Sequence, residues 1–460
     1  MSRPSVAIAG GGLAGLTAAC DLADAGYAVT LIEKRPFLGG RSYSYTDKSS
    51  GVTVDNGQHV FLGCCTEYIR FLERLGVRDA VHLQKRFRVP VIDKVWGESV
   101  LSAANLPPPM HLLPSLLRFR SLSPGEKALA GWALSQMQLT DRSRHPELDD
   151  ITFEEWLLAR KQSPRAIRAL WNLIVLPTLN GDTSRVSADL AMMVFQEGFL
   201  RSRHGANVGW AKVGLSQLLA DAARRYIEER GGELRLGDGI AAVEVEGGRV
   251  TRLRAESGEV TADVYVIALP VESVLDVLPA PVRDNAFYSR IGRITTSPIV
   301  NVHLRYDRPV WGRGFAAFLH TPVQWVFIKS KLWGKQGAGQ YLDISLSGAH
   351  DFIDLPSAEI IQLFTKEMFA LFPATRGAEL TRSLVVKQRD ATFDAVPGVG
   401  ALRPAQATPL RNLFLAGDWT QTGWPATMES AVRSGQLAAD AVIRRASGGR
   451  TNFVKAGAKT

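Results

Sequence analysis

The sequence predicts an α/β protein that is built around a parallel β-sheet. Near its start, the apolar run SVAIAG (5–10) is typical of a buried parallel strand, and a helical pattern follows it directly. Near its end, the run LFLAG (413–417) is followed by a second helical pattern. A chain of 460 residues exceeds what one hydrophobic core organises, so we expect two intimately joined domains.

Composition and charge narrow the class of protein. Apolar residues make up 46% of the chain and charged residues 22%, as in folded globular proteins. The net charge of +9 indicates either a solvated basic surface or attraction to an anionic membrane face. Nucleic acid is not an expected partner, because the sequence has no recognition motif and no basic cluster interleaved with aromatic residues.

The three cysteines predict neither a metal site nor a disulfide framework. Cys20, Cys64 and Cys65 lack the spacing of zinc ligands, and their odd number disfavours paired bridges. A reducing cytoplasmic compartment fits this usage. No signal peptide precedes the first strand, and no apolar run reaches the roughly 18 residues that span a bilayer. We therefore expect a cytoplasmic protein, peripherally associated with the inner face of the cell membrane.

The sequence GGGLAG after the first strand predicts a dinucleotide site. Gly10 allows a tight turn, and Gly12 lets the backbone approach a pyrophosphate. Gly15 allows the helix to pack closely on the strand. The first helical N–H groups, from Leu13 and Ala14 onward, would face the phosphates together with the positive end of the helix dipole.

Residues 33–41, EKRPFLGGR, indicate which dinucleotide is bound. Glu33 ends the second strand, where its carboxylate can accept hydrogen bonds from ribose hydroxyls. A glycine pair followed by arginine places backbone N–H groups and a bidentate cation beside a diphosphate. The predicted contacts here are Glu33, Lys34, Arg35, Gly39, Gly40 and Arg41. The pattern resembles the extension found in the flavin-containing amine oxidase and carotenoid desaturase superfamily, which implies FAD.

This resemblance implies further FAD contacts along the chain. A segment such as 51–63 runs along the flavin ring in the superfamily, which assigns Gly57, Gln58 and His59 to the ring. A later strand offers its backbone to the adenine, by position at Ile240 or Val243. In the C-terminal motif, where a helix is expected to begin near residues 426–427, the implied contacts are Gly417, Asp418, Ala426, Thr427 and Met428.

The implied fold is a Rossmann-like FAD-binding domain with an inserted α+β substrate domain, as in the amine oxidases. We assign residues 1–90, 205–275 and 385–450 to the FAD-binding domain. Residues 91–204 and 276–384 form the substrate and lid domain, and residues 451–460 are a flexible tail. Within the substrate domain, the segments 297–311 and 339–348 alternate in hydropathy, which predicts strands with one wet face.

Three phrases resemble a narrower family: DNGQHVFLGCCTEYIRFLERLG, RDATFDAVPG with LRPAQ, and NLFLAGDWTQTGWPATMESAVRSGQLAA. They are similar to the squalene-associated FAD-dependent desaturases, a family that includes the enzymes reducing hydroxysqualene to squalene with reduced FAD. The resemblance implies an enzyme of squalene and hopanoid biosynthesis with a triterpene substrate. The electron donor is not identified by the sequence.

Two positions depart from the amine oxidases. Asn301 stands where those enzymes carry a lysine near the flavin, and Thr427 stands where they carry an aromatic residue. Both departures disfavour amine oxidation. They leave open a desaturase acting on another isoprenoid of the carotenoid type. A non-enzymatic prenyl-lipid escort protein is a further alternative, although such proteins lose the cofactor fingerprint.

The dehydroxylation reaction needs a proton donor and a water-free apolar site. His59 is our predicted acid, because the ordinary pKa of histidine suits proton donation near neutrality. Glu429 and Asp418 are further candidates, for which helix capping or cofactor binding is the alternative role. Residues 104–140 are rich in leucine and proline and contain Arg118 and Arg120, which predicts a helical lid that also meets the membrane interface.

Overall fold

A parallel five-stranded sheet lies at the centre of the computed structural model, which describes residues 3–46, 51, 53–334 and 339–446. The predicted tail at 451–460 lies outside the described residues. The strands are β1 Ser5–Ala9, β2 Ala28–Glu33, β3 Ser44–Thr46, β4 Thr53–Asp55, β5 Val60–Leu62, β6 Val81–Leu83, β7 Arg88–Asp93, β8 Gly97–Ser102, β9 Val208–Ala211, β10 Glu233–Leu236, β11 Ile240–Glu246, β12 Arg249–Ala255, β13 Gly258–Val260, β14 Val264–Ile267, β15 Thr296–Tyr306, β16 Phe315–Leu319, β17 Trp325–Ile328, β18 Gln340–Ser347, β19 Leu380–Phe393 and β20 Leu413–Leu415.

The helices lie on the central sheet and in the inserted segments. The α-helices are α1 Leu13–Asp24, α2 Thr66–Arg74, α3 Leu113–Arg118, α4 Pro124–Leu139, α5 Phe153–Leu158, α6 Pro164–Ala166, α7 Asn172–Leu179, α8 Ala188–Phe195, α9 Asp221–Glu228, α10 Val271–Val274, α11 Ala280–Arg283, α12 Ala286–Ser289, α13 Lys329–Leu332, α14 Ser357–Leu371, α15 Val399–Leu402 and α16 Met428–Ala446. Helical turns of the π type at Ile167–Trp171 and Gln196–Leu200 continue α6 and α8, and another at Ser216–Ala220 leads into α9.

The central sheet has the order β10-β2-β1-β14-β20, and all its strands are parallel. The carboxyl ends of β1, β14 and β20 therefore share one edge, which is where such sheets bind ligands. Helices α1 and α16 pack against each other beside this edge. A Cβ atom on Gly435 would lie 2.4 Å from the Ala14 carbonyl oxygen, so glycine permits the close approach of the two helices.

A seven-stranded sheet, in the order β19-β15-β18-β17-β16-β7-β8, forms the second domain. One face is covered by α14, whose Ile360 and Phe364 pack on Val300 and Val302 of β15. The prediction of a strand with one wet face over 297–311 is wrong, because β15 is buried on both faces along most of its length. The same holds for β18, since the other face of the sheet turns toward the cofactor domain.

The two predicted domain boundaries at 90 and 385 each cut through a strand of this sheet. Strand β7 begins at Arg88 and β19 continues to Phe393, so both strands belong entirely to the seven-stranded sheet. Because each predicted boundary falls inside a strand, the alternation of side chains continues across it and leaves no compositional mark there.

A buried ion pair joins the two domains. Lys329, at the start of α13, donates from Nζ to Asp55 Oδ2 at 2.5 Å and to Gln58 Oε1 at 2.9 Å. Asp55 Oδ1 accepts in turn from the Leu215 N–H at 3.1 Å. The side chains of Lys329 and Asp55 are 1% and 2% exposed, so neither charge has water as an alternative partner.

Replacing Lys329 with methionine should lower the free energy of unfolding by about 3–5 kcal/mol, because it leaves the Asp55 carboxylate buried without its cation. The double variant Lys329→Met, Asp55→Asn should regain part of this loss. Urea unfolding of the apoprotein measures both. Lys331→Met, which changes an exposed lysine on the same short helix, is the control and should shift stability by no more than about 0.5 kcal/mol. Equal effects of Lys329→Met and Lys331→Met would contradict a stabilising role of the buried ion pair between the two domains.

Candidate cofactor site and active site

The glycine loop after β1 forms an open cradle at the start of α1. Gly10 has φ +108°, and a Cβ atom there would lie 2.5 Å from the Ala268 carbonyl oxygen. A Cβ on Gly15 would lie 1.9 Å from the Gly10 oxygen, which shows how closely the helix packs on the turn. Gly12 caps the helix without a side chain, and the first turn has no acidic residue. The helix N-terminus is therefore suited to the phosphates of a dinucleotide.

Glu33 connects this loop to the end of β2. Its buried carboxylate accepts from the Gly11 N–H at 2.7 Å through Oε2 and from the Arg35 N–H at 2.9 Å through Oε1. Each oxygen has a second lone pair, so the carboxylate can hold the loop and still accept from a ribose hydroxyl. Lys34 is exposed beside it.

The glycine pair and Arg41 lie directly on the fingerprint loop. The Gly39 N–H donates to the Gly11 oxygen at 2.8 Å, and a Cβ on Gly40, whose φ is +58°, would lie 2.8 Å from Gly12 Cα. Arg35 donates to the Gly40 oxygen at 3.0 Å. The two glycine motifs, which are separated by a helix and a strand in the sequence, thus form one continuous binding surface.

Arg41 also brings the C-terminal motif to this surface. Its Nη2 lies 2.5 Å from Asp418 Oδ1, and its Nη1 donates to the Ala391 oxygen at 2.8 Å. Asp418 follows Gly417, whose missing side chain leaves room for the Trp419 ring: a Cβ there would lie 2.3 Å from Trp419 Nε1. Motifs 377 residues apart therefore meet through one ion pair.

Sequence analysis missed Arg403, which supports the same motif from behind. Its buried guanidinium donates to the backbone carbonyl oxygens of Asp418 at 3.0 Å and Thr420 at 2.6 Å. Burial lowers the pKa of Arg403 to about 10, with Asp418 acting in the opposite direction. The arginine belongs to the phrase LRPAQ, so the signal was present although its role was not evident.

Helix α16 begins at Met428, directly after Ala426 and Thr427. Thr427 Oγ1 accepts from the Ser430 N–H at 3.1 Å and so takes up one N–H group of the first turn. Thr427 stands at the position to which the sequence resemblance assigns an aromatic residue in the amine oxidases. The prediction that Ala426, Thr427 and Met428 contact the flavin stays a prediction.

Glu429 has the capping role that was the alternative to acid catalysis. Its carboxylate, which is fully buried, accepts from the N–H groups of Tyr68 at 2.8 Å and Glu67 at 3.2 Å, at the start of α2. It also accepts from Arg433 Nε at 2.7 Å. Burial raises the pKa of Glu429, although the bonds to Tyr68 and Arg433 oppose that shift. These three hydrogen bonds give the Glu429 carboxylate a structural role at the start of α2.

Residues 57–59 pack on the second domain, and we call them the flavin strip because they are the predicted contacts of the flavin ring. A Cβ on Gly57 would lie 2.7 Å from Asn301 Oδ1, and Gln58 accepts from Lys329. His59 Nδ1 lies 3.2 Å from the Gly57 carbonyl oxygen, and burial lowers the pKa of the imidazole. Because a carbonyl only accepts, the neutral ring carries its proton on Nδ1 and leaves Nε2 as an acceptor. This geometry counts against His59 as the acid, an assignment that stays a prediction.

The geometry separates the two candidates for the adenine contact. The N–H groups of Gly237 and Asp238 donate to the backbone oxygens of Arg35 and Glu33 at 2.9 and 3.0 Å, which places the start of β11 beside Glu33, the predicted ribose contact. The Val243 N–H donates to Val277 at 2.7 Å and is not free for a ligand. Ile240, at the start of β11, therefore remains the better candidate.

Four polar side chains stand opposite the flavin strip on the seven-stranded sheet. This polar quartet consists of Asn301 and His303 on β15 and Tyr341 and Asp343 on β18. Asn301 Nδ2 donates to Asp343 Oδ1 at 2.9 Å, and Tyr341 Oη lies 2.8 Å from His303 Nδ1. Apart from Asn301, sequence analysis missed these residues and Lys329. The only signal was a polar residue inside or directly after an apolar strand.

Glu33→Ala should weaken FAD binding by about 1.5–3 kcal/mol, the usual contribution of hydrogen bonds to a charged group. The loss combines the ribose contact with the anchoring of Gly11. Quenching of FAD fluorescence on titration with apoprotein measures the affinity. Glu73→Ala, which removes an exposed carboxylate on α2, is the matched control and should leave the affinity unchanged. Unchanged affinity in Glu33→Ala would remove Glu33 from the cofactor site.

Comparison with known proteins agrees with this site. Residues 13–443 match the family described as flavin containing amine oxidoreductase. Over 94% of its length the chain is 28% identical to a zeta-carotene desaturase of Arabidopsis thaliana, 84% of which it covers. It is 27% identical to a 15-cis-phytoene desaturase of Synechococcus elongatus, with 96% of both chains covered. An oxidoreductase from Methanosarcina mazei superposes with a TM-score of 0.74 at 18% identity, over 96% of this chain and 100% of the other. The chain therefore belongs to the flavin-containing amine oxidoreductase family and is an FAD-dependent oxidoreductase.

Proposed function

We propose that this protein transfers a hydride between FAD and a long acyclic isoprenoid. The observation that carries the proposal is a row of aromatic rings. Three lie on the face of the seven-stranded sheet that turns toward the flavin strip, and one lies on the nearby strand β9. This aromatic wall consists of Trp210, Phe315, Phe327 and Trp325. Neighbouring ring centroids are 5.8, 5.9 and 5.9 Å apart.

The aromatic wall lies between an open cleft and Asn301, which contacts the flavin strip. At its outer end, Trp210 and Phe315 line a cleft of about 390 Å³, with Arg88 and Lys331 also in its lining. At its inner end, Trp325 is paired across the sheet with Ser345, whose other neighbour is Asn301. Asn301 contacts the flavin strip. An extended apolar chain lying on these rings would therefore reach the cofactor while excluding water from it.

Amine oxidation fits these residues less well. The Asn301 amide is bound to Asp343, and Thr427 offers a hydroxyl that caps α16. Neither provides the lysine or the aromatic ring that amine oxidases place at these positions. The aromatic wall offers dispersion and ring contacts, which suit the methyl-branched chain of an isoprenoid.

Two reactions of an isoprenoid are compatible with this site. Bound FAD accepts or supplies a hydride. In desaturation, which the carotene and phytoene desaturases among the relatives favour, the substrate loses a hydride and a proton, and the two electrons pass to an acceptor such as a quinone. In dehydroxylation, the hydroxyl of hydroxysqualene leaves as water after protonation, and a hydride replaces it to give squalene.

The three phrases that resemble the squalene-associated desaturases favour dehydroxylation. One of them, residues 55–76, includes Asp55 and the flavin strip, so the resemblance falls on the part of the chain that meets the substrate domain. A second contains Arg403, and a third contains Asp418. Hydroxysqualene is accordingly our proposed substrate, and desaturation of a carotenoid-type polyene is the alternative.

Anaerobic incubation distinguishes the two reactions. Photoreduced enzyme mixed with hydroxysqualene should regain the oxidised flavin spectrum and form squalene, whereas squalene itself should have no effect. If desaturation is the reaction, oxidised enzyme with a quinone should instead introduce double bonds into phytoene or zeta-carotene. Trp325→Ala should weaken substrate binding by about 2- to 10-fold, and the exposed Trp96→Ala should not. Failure with all of these isoprenoids would overturn the proposal.

We also propose that the lid segment attaches the protein to an anionic membrane surface. Leu106, Met110, Leu113 and Leu117 are exposed along this segment, with Leu117 59% exposed. Arg118 and Arg120 are exposed at its end, while Leu116 and Phe119 anchor the segment in the core. Among the residues that the structure describes, no helix has the length and apolarity needed to cross a bilayer. An exposed apolar stripe with flanking cations instead suits contact with the surface of a bilayer, from which an insoluble isoprenoid is drawn.

Vesicle co-sedimentation tests this attachment. Leu113→Ser with Leu117→Ser should weaken binding at least 10-fold at any salt concentration, because each leucine loses apolar burial. Arg118→Ser with Arg120→Ser should weaken binding to anionic vesicles at low salt only, since each cation contributes about 1 kcal/mol that salt screens. Leu158→Ser, at an exposed leucine outside the segment, is the control. If none of these substitutions changes vesicle binding, the lid segment is not the membrane-binding surface.

A further inference from the structure

The polar quartet has two buried atoms without a hydrogen-bond partner among the described residues. These are His303 Nε2 and Asp343 Oδ2. His303 is 3% exposed and Asp343 is fully buried. Buried polar atoms are nearly always bonded, so two orphaned atoms on paired residues of one sheet face point to a partner that the protein itself does not supply.

The orphaned atoms belong to a connected array. Asp343 Oδ2 lies 3.8 Å from His303 Nδ1, and Tyr341 Oη lies 2.8 Å from the same nitrogen. Asn301 holds the other oxygen of Asp343 and contacts Gly57 in the flavin strip. Tyr341, His303, Asp343 and Asn301 thus follow one another across two strands toward the cofactor.

The outer end of this array reaches a cavity of about 30 Å³, which has room for a water molecule. His303, Tyr341 and Val54 line it, together with Arg305 and Arg382. Arg305 is exposed, so the cavity adjoins bulk solvent. The quartet therefore lies between water on one side and the flavin strip on the other.

We propose that Tyr341, His303 and Asp343 form a proton relay between the solvent-side cavity and the flavin strip. This inference rests on the FAD chemistry of the proposed function and not on which isoprenoid is the substrate. Electrons that enter a buried site bring negative charge, and a proton must follow them through the protein.

The relay is balanced in protons. Water in the cavity gives a proton to the Tyr341 hydroxyl as that hydroxyl gives its own to His303 Nδ1. His303 Nε2 releases its proton to a water molecule that bridges it to Asp343 Oδ2, the other orphaned atom, and that water gives its own proton to the carboxylate. Asp343 then passes a proton to the cofactor side. Rotation of the hydroxyl and exchange of the imidazole proton restore the starting state, so the relay gains and loses no charge. In the reverse reaction, protons leave by the same route.

Burial favours the neutral form of His303, which can accept at one nitrogen while donating at the other. Burial lowers the pKa of His303, Asp343 and Asp55 oppose this shift, and Lys329 strengthens it. Burial also holds the pKa of Tyr341 well above its ordinary value, so the hydroxyl keeps its proton. The cations of Arg305 and Arg382 face the cavity from β15 and β19.

The test follows proton uptake during reduction of bound FAD, without any isoprenoid. A deazaflavin photoreductant supplies electrons anaerobically, and a pH-indicator dye in weak buffer reports the proton. His303→Gln and Asp343→Asn should retain FAD affinity but slow proton uptake by about 100-fold, the scale of a lost proton-transfer group. The rate in His303→Ala should recover with added imidazole, which a purely structural role would not produce. If His303→Gln fails to hold FAD, Tyr341→Phe removes only one hydroxyl and should give the same slow phase.

His320→Gln is the matched control, because His320 pairs with Asp93 at 2.8 Å in a comparable way but away from the flavin strip. It should leave proton uptake unchanged. Uptake in His303→Gln and Asp343→Asn within about twofold of the unmutated rate would overturn the relay. An equal slowing in His320→Gln would overturn it as well. Since no isoprenoid is present, either result leaves the proposed substrate untouched, and failure of the substrate assay leaves the relay untouched.

Discussion

The ion pair between Lys329 and Asp55 fixes the relation between the cofactor domain and the substrate domain. Asp55 ends the short strand before the flavin strip, and Lys329 begins a helix that follows an apolar strand of the other sheet. A buried charge cannot find water if it separates from its partner, so the pair permits one arrangement and makes alternatives costly. The second bond of Lys329, to Gln58, extends this constraint into the flavin strip itself. This relative position of the two domains also determines the contact between Gly57 and Asn301, and with it the position of the polar quartet.

A second constraint works within the cofactor domain, where distant motifs must share one surface. Arg41 reaches Asp418 from the opposite end of the chain, and Arg403 holds the backbone of the same C-terminal turn. Glu33 similarly accepts from Gly11 as well as being placed for a ribose. Each of these charged side chains stabilises a loop of the predicted cofactor site, so we expect cofactor binding and local folding to depend on the same groups.

The sequence made the local part of this site predictable. The fingerprint loop, the glycine pair and the C-terminal motif each form within a few residues, and their glycines occupy positions that a Cβ atom would obstruct. The fold class could likewise be predicted, since parallel strands and amphipathic helices leave periodic patterns. Lys329, His303 and Asp343 could not be predicted, because their roles depend on strand register and on a contact between segments 274 residues apart. The prediction of a solvent-exposed face for β15 was wrong for the same reason. Alternation in hydropathy does not reveal that a polar side chain faces another domain instead of water.

Beside the predicted cofactor site, one cross-strand row of the seven-stranded sheet carries aromatic rings at one end and ionisable groups at the other. This arrangement suits the proposed hydride transfer to or from an isoprenoid. Phe315 and Phe327 continue across the sheet into Asp343 and His303, so aromatic rings and ionisable groups lie on the same cross-strand row. In the proposed reaction the rings would hold an apolar chain and exclude water, which would protect a reactive carbon from attack. The same exclusion of water would leave the protons that accompany electron transfer without a route into the site. A buried histidine and carboxylate at the end of the row, next to a water-sized cavity, resolve that conflict by admitting protons without admitting solvent.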